Sequence, residues 1–249
     1  MKKQIFLFIL FFSLVQSVSA QIGEHRNDFS VGVGGGYVLS NVRFTPKVPQ
    51  TMHGGIMGGM AFRYVCEKYF KTICSIYAEV NYAQIGWKED ILTSDDQPVI
   101  NATTGVAEAY SRTINYVQIP VMAHLAWGKE DRGLNFFVNA GPQIGFCLSE
   151  STSTNFDINS ANLDDRANTI VAQDTMAVEK KFDYGIAAGI GLEYSIPRAG
   201  HLLLEARYYY GLGNIYGDSK RDYFGSSNFG NIVFKLTYLF DITRTKKSN

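Results

Sequence analysis

The sequence predicts an all-β fold: an eight-stranded antiparallel transmembrane β-barrel behind a cleaved signal peptide. Three observations predict it. The chain opens with a secretory leader. Most of the remaining chain alternates apolar and polar residues with period two. The connections between the alternating segments are long and short in strict turn. Composition is consistent with this. The 249 residues are 46% hydrophobic, 14% aromatic and only 18% charged, so a disordered chain is excluded. Lys plus Arg equals Asp plus Glu, 23 each, which leaves no basic surplus for a nucleic acid. The mean hydropathy of −0.06 excludes a bundle of membrane helices. It does not exclude a membrane barrel, whose strands average to neutral.

Residues 1–20 place Lys2 and Lys3 before an apolar stretch from Ile5 to Val15 and a small-residue site at Val18-Ser19-Ala20. This is the pattern of a signal peptide cut after Ala20. The two expected segments are therefore a leader, 1–20, and one barrel domain, 21–249. No Cys follows the cleavage site to carry a lipid. No later stretch approaches the about 18 uninterrupted apolar residues of a helical span.

The alternation places strands at about 29–40, 53–66, 74–87, 113–127, 134–148, 181–196, 201–212 and 229–242. Each covers the roughly 9–11 residues that a tilted strand needs to cross a bilayer. In the fifth, Leu134, Phe136, Val138, Ala140, Ile144, Phe146 and Leu148 share one face, against Asn135, Asn139 and Gln143. In the sixth, Phe182, Tyr184, Ile186, Ile190, Leu192 and Tyr194 oppose Asp183, Gly185, Gly189, Gly191 and Glu193. The face opposite the apolar one is glycine, small polar groups and scattered charges, as a crowded polar lumen requires.

Connections fall at 41–52, 67–73, 88–112, 128–133, 149–180, 197–200 and 213–228. A membrane barrel keeps every turn short at one rim and lets the loops at the other rim grow. Both termini then lie at the short-turn, periplasmic rim. Outward aromatics gather at the two levels of the membrane interfaces. Phe29, Tyr64, Trp127, Phe136, Tyr194 and Phe240 stand near the short turns, and Tyr37, Phe146, Phe182, Tyr208 and Tyr210 near the long loops.

Inward parity selects six charges, Arg63, Glu79, Glu193, Glu205, Arg207 and Lys235. Three are of each sign, and an eight-stranded barrel is narrow enough for its own side chains to fill it. The expectation is a self-neutralising plug, with Arg63 and Glu79 as a diagonal pair across one hairpin. Cys66 and Cys74 flank the 67–73 turn, and an exported chain favours a disulfide between them, leaving Cys147 free. Pro120 and Pro142 fall inside strands. A simple turn at 128–133 sets Pro120 opposite Gly141 and predicts one shared bulge.

Other signals point to structure rather than chemistry. His25, His53, His124 and His201 stand in no catalytic pattern, and no acid pair can be placed beside them. The run Gly32, Gly34, Gly35, Gly36 continues into a strand and not into the helix of a dinucleotide fingerprint, so it reads as room for large neighbours. Asp157, Asp164, Asp165 and Asp174 lack calcium-loop spacing and read as a solvated mobile loop. No cofactor or metal is expected.

Six stretches resemble the PorT-like family of outer-membrane β-barrels: SIYAEVNYAQIGWK (75–88), NYVQIPVMAHLAW (115–127), FFVNAGPQIGF (136–146), DYGIAAGIGLEY (183–194), LLEARYYYGLGNI (203–215) and FKLTYLF (234–240). They keep the family's order along nearly the whole chain. The resemblance implies a small porin-like outer-membrane barrel and little biochemistry. It also brings in a link to protein secretion, through the family's founding member. The chain departs from the family at Gln118 and His124, where an acidic and a basic residue are common.

The reading is an OmpA/OmpX-like barrel in the outer membrane, monomeric and non-enzymatic, with a side-chain-filled lumen and long surface loops for binding. Its expected partners are membrane lipid, the barrel-assembly machinery during insertion, and surface or secretion proteins, but no nucleic acid. The alternatives are a narrow diffusion channel, a secretion accessory and a lipid-modifying enzyme.

Overall fold

The computed structural model describes residues 23–129, 132–158, 161–217, 219 and 222–245. The expected signal peptide lies outside the described residues. Eight long strands form one antiparallel ring: β1 (Glu24–Thr45), β3 (His53–Tyr69), β4 (Thr72–Glu89), β5 (Tyr110–Gly128), β6 (Gly133–Thr154), β7 (Phe182–Ile196), β8 (Gly200–Gly211) and β9 (Ser226–Thr243). Neighbours in sequence pair in space, β9 pairs back onto β1, and β4 pairs with β5 to complete the ring. A two-residue strand, β2 (Gln50–Thr51), adds to the end of β4 at Gln50↔Glu89 and Thr51↔Lys88. Closure leaves no long unpaired edge, the one way a sheet can meet lipid.

Alternation sorts the surface as expected, with the usual soluble arrangement inverted. Val33, Ile56, Leu134, Ile186, Ile190, Leu204 and Leu236 are all more than half exposed on the outside, while Glu79, Asn139, Ser40 and Lys235 are buried inside. Six of the eight strands outrun their expected ends, with β1, β4 and β6 continuing upward at the long-loop rim, while β7 and β8 do not lengthen. The connections keep their alternation. Strand ends are separated by short stretches at 70–71, 129–132 and 197–199, all at one rim, and by longer ones at 46–52, 90–109, 155–181 and 212–225 at the other. Gly133 and Gly200 take φ of 111° and 125° where β6 and β8 leave tight turns, a region costly for any residue with a Cβ.

Three local expectations are corrected. The β3–β4 register begins as anticipated, with Arg63 opposite Tyr77 and Ala61 opposite Glu79. It then shifts between Val65 and Glu67, so that Glu67 rather than Cys66 faces Cys74. Cys66 is the extra residue of a bulge, and the expected Cys66–Cys74 disulfide is not made: all three cysteines are free. The prolines do not meet in a shared bulge. The β5–β6 register sets Pro120 opposite Gln143, two places from expectation, and the shift in this pair lies at Asn115/Tyr116. Pairing is instead interrupted, without a change of register, between Pro120↔Gln143 and Ala123↔Ala140. The 149–180 segment is not a uniformly solvated loop. Phe156, Arg166, Gln173, Asp174 and Val178 are buried.

At the proline break β6 comes close to β5. A Cβ on Gly141 would stand 2.2 Å from the Val121 carbonyl oxygen and 2.7 Å from the Met122 Cα. Backbone cannot yield there as a side chain would, so Gly141→Val should destabilise the barrel by about 1–3 kcal/mol. The folded band on a heat-modifiable gel should convert at a lower temperature than the parent. An unchanged midpoint would show that the two strands separate freely at this point.

Candidate functional site

The lumen is occupied from wall to wall. All six inward charges are buried, none more than 4% exposed. Arg207 on β8 is the centre of the larger group. Its Nε and Nη2 donate to the Glu205 carboxylate at 2.9 and 2.7 Å, and its Nη1 and Nη2 donate to Glu79 at 2.8 and 3.1 Å. Lys235 Nζ on β9 donates to Glu79 Oε1 at 2.8 Å and to Asn81 Oδ1 at 3.0 Å, while Asn81 Nδ2 donates to Glu79 Oε2 at 2.7 Å. Two acids and two bases thus neutralise one another.

The second group lies nearer the short turns. Arg63 Nη1 on β3 donates to Glu193 Oε1 on β7 at 2.7 Å. Glu193 also meets His201 Nδ1 at 2.6 Å, and His201 Nε2 stands 3.2 Å from Asp241 Oδ1. Ser30 Oγ donates to the same Asp241 oxygen at 2.7 Å. His124 joins the two groups. Its Nδ1 lies 2.7 Å from Asn139 Oδ1, whose amide donates to Glu205 at 3.0 Å, and its Nε2 lies 3.5 Å from Glu193.

The expected diagonal pair between Arg63 and Glu79 is therefore replaced. Each residue finds its partner on another wall. In the ring β4 stands opposite β8, and β3 stands opposite β7. Both principal ion pairs cross the lumen rather than run along one hairpin. Glycines make the crossing feasible. A Cβ on Gly34 would stand 2.7 Å from Lys235 Cε, and one on Gly189 would stand 2.6 Å from Glu205 Oε1. Sequence parity identified the six charges but passed over Asn81, Asn139, His124, His201 and Asp241 as their partners. The inward parity that all five share was the available signal.

Beneath this network, at the short-turn rim, is a cavity of about 70 Å³ lined by Arg26, Arg63, His124, Glu193, His201 and Asp241, among others. Above it the ends of β1 and β4 and the long loops close inward as a cap. Phe44 packs edge-on to Trp87 at 5.4 Å between centroids and against Phe224 at 4.9 Å, and Tyr216 stacks on Phe224 at 5.7 Å. Arg166 in the 155–181 loop grips Glu108 of the 90–109 loop at 2.8 Å. Hydrogen bonds from Asn101, the Asn162 backbone and Arg166 hold the Glu108 carboxyl below its ordinary value despite its burial.

The histidines and loop acids form no recognisable catalytic or metal centre. His53 meets Thr113 Oγ1 at 3.1 Å, and His25 is exposed in β1. Ser195 Oγ lies 3.0 Å from His201 Nδ1, but Glu193 takes that same nitrogen at a shorter distance, and Ser195 is 2% exposed. Asp157, Asp164 and Asp165 are exposed while Asp174 is buried. No group of three or more metal-ligating acid, His or Cys side chains occurs among the described residues.

A family model described as an outer membrane protein β-barrel domain matches residues 19–217. Among solved structures, the chain is similar to OprG from Pseudomonas aeruginosa, at 14% identity and a TM-score of 0.41, covering 88% of this chain and 98% of that one. It is also similar to Ail of Yersinia pestis in complex with the heparin analogue sucrose octasulfate, at 13% identity and 0.36, covering 86% and 99%. The N-terminal β-barrel domain of Pseudomonas aeruginosa OprF is similar at 11% identity and 0.37, covering 87% and 100%. No curated protein matches the chain.

Removing one side of a buried ion pair strands the other. Glu79→Gln leaves Arg207 and Lys235 short of their shared acid, and should cost about 3–5 kcal/mol. Asp165→Asn removes an exposed loop charge and should cost under about 0.5 kcal/mol. Thermal conversion on heat-modifiable gels should separate the two variants clearly. Equal midpoints would mean that the lumen charges are solvated rather than interlocked.

Proposed function

The chain belongs to the outer membrane protein β-barrel domain family, and from that premise we propose that it is a non-conducting, non-enzymatic surface protein whose long loops carry out recognition. One observation carries the reading. The interior is obstructed in series, by ion pairs that span the lumen and by the aromatic cap above them. A diffusion channel needs a continuous wet path. Here the cavity at the short-turn rim runs up to Arg63, His124 and Glu193, which belong to the lower group of ion pairs.

The short turns and both termini face the periplasm in this reading, and the long loops face outward. The loops present Ile100, Val106, Leu163 and Tyr223, each at least 39% exposed, beside many polar neighbours. Such residues suit contact with another surface better than a role in barrel stability. The PorT-like resemblance supports a partner in protein secretion or surface attachment, with the protein acting as a monomer in lipid. Catalysis is disfavoured by His201, whose Nδ1 is held by a carboxylate instead of being free to activate Ser195.

Planar bilayers provide the test. The purified protein should insert without discrete conductance steps at neutral pH. Arg207→Ala, which removes only one of the obstructions in series, should stay silent as well, because the Arg63–Glu193 pair and the aromatic cap remain. Stable ion-selective steps from the unaltered protein would sink the reading in favour of a channel. The topology is tested separately in intact cells. Single cysteines in a cysteine-free background should react with an impermeant maleimide at Thr103 or Asp164 but not at Ala199. The opposite pattern would invert the orientation.

A further inference from the structure

The cap rests on a contact that the lumen network does not explain. Asp174 lies in a short helical turn of the 155–181 loop, Ala172–Thr175, and is 3% exposed. Its carboxyl meets that of Glu89, the last residue of β4, which is 7% exposed. Neither carboxylate oxygen of Asp174 receives a hydrogen bond from a described donor. Glu89 Oε1 accepts from Gln173 Nε2 at 2.8 Å and from Trp87 Nε1 at 3.5 Å.

The charged groups around the pair are committed elsewhere. Arg166 is held by Glu108. Arg112 on β5 donates to the Met176 carbonyl, to Tyr216 Oη at 3.1 Å and to Thr152 at 3.2 Å, and lies 3.6 Å from Glu150 on β6. Tyr110 Oη donates to the Asp174 backbone carbonyl at 3.3 Å rather than to its side chain. Two buried carboxylates in contact, with no donor between them, cannot both be ionised without strong repulsion. A single proton held between them turns the repulsion into a hydrogen bond.

We propose that Glu89 and Asp174 share one proton, and that this proton latches the loop cap over the barrel mouth. The turn 172–175 connects directly to the aromatic cluster, because Tyr216 Oη donates to the Gln173 and Met176 carbonyls at 3.4 and 3.5 Å. Losing the proton therefore loosens the loop and the rings together. Burial pushes the Asp174 carboxyl above its ordinary value of 3.8. The sign comes from linkage. A carboxyl raised in the folded state stabilises the closed cap fully below its unfolded value, and that stabilisation disappears as pH rises through the raised value. The cap closes in acid and opens toward alkaline pH.

The chain carries two tryptophans. Trp87 is fully buried in the cap, and Trp127 is 38% exposed. In a Trp127→Phe background, Trp87 reports the cap alone. Acrylamide quenching of the full-length protein in micelles should rise roughly threefold between about pH 5 and pH 9, reversibly, as the cap opens locally. Glu89→Gln and Asp174→Asn each replace the acid pair by one needing no shared proton, and each should abolish the pH dependence. Gel mobility verifies that every variant stays folded. Quenching independent of pH in the parent would overturn the proposal. So would an undiminished pH dependence in both folded variants. Opening by a chelator at about pH 5, or closing by added calcium at about pH 9, would overturn it too, because a metal ion would then be the bridge.

Discussion

Arg207 is the group on which the interior depends. An eight-stranded ring has room for its own side chains and little else, so a guanidinium on one wall reaches the wall opposite. Arg207 divides its donors between Glu205 on its own strand and Glu79 across the lumen. A lysine ammonium lacks the planar fork needed to engage both carboxylates in this way. Lys235 and Asn81 then complete the shell around Glu79. Charges this deeply buried are tolerable only as an interlocked set, because each would be costly alone. The lower group, from Arg63 to Asp241, repeats the solution with histidine as a second base.

The rest of the barrel accommodates that arrangement. Apolar residues go outward because lipid, not a protein core, receives them, and strand pairing closes because no water is available to satisfy a free edge. Inside, Gly34 and Gly189 supply the volume that Lys235 and Glu205 occupy. Within the glycine run on β1 only Gly34 makes room for a long lumen side chain, whereas a Cβ on Gly32 or Gly36 would meet the β9 backbone at 1.9 and 2.1 Å.

The two obstructions differ in chemistry. The lumen network is neutral, and its four central charges all have partners of opposite sign. The cap is held by ring packing, by the Arg166–Glu108 pair and by a carboxyl contact with no hydrogen-bonded cation. Function at the long-loop rim would draw on the cap, since loops that can reorganise sit at the less stable end of a structure. The ion-paired lumen supplies a rigid frame beneath it.

The sequence by itself determined the strands, their inward and outward faces, the sorting of long and short connections, and the six residues that would carry charge inside. These are local properties, since period two and turn length can be read along the chain without knowing what lies opposite. Partnership was a tertiary matter. Glu79 and Arg207 are 128 positions apart, and alternation says only that both point inward. Cys66 lost its place opposite Cys74 to a one-residue bulge, which leaves no trace in composition. Pro120 and Pro142 were misplaced by two positions because Trp127 pairs with Phe136 rather than with Leu134. The 155–181 loop looks polar, yet Phe156, Asp174 and Val178 are buried by rings and strand ends from distant segments. Only closure of the ring brings those segments together, and with them the cross-lumen ion pairs and the cap.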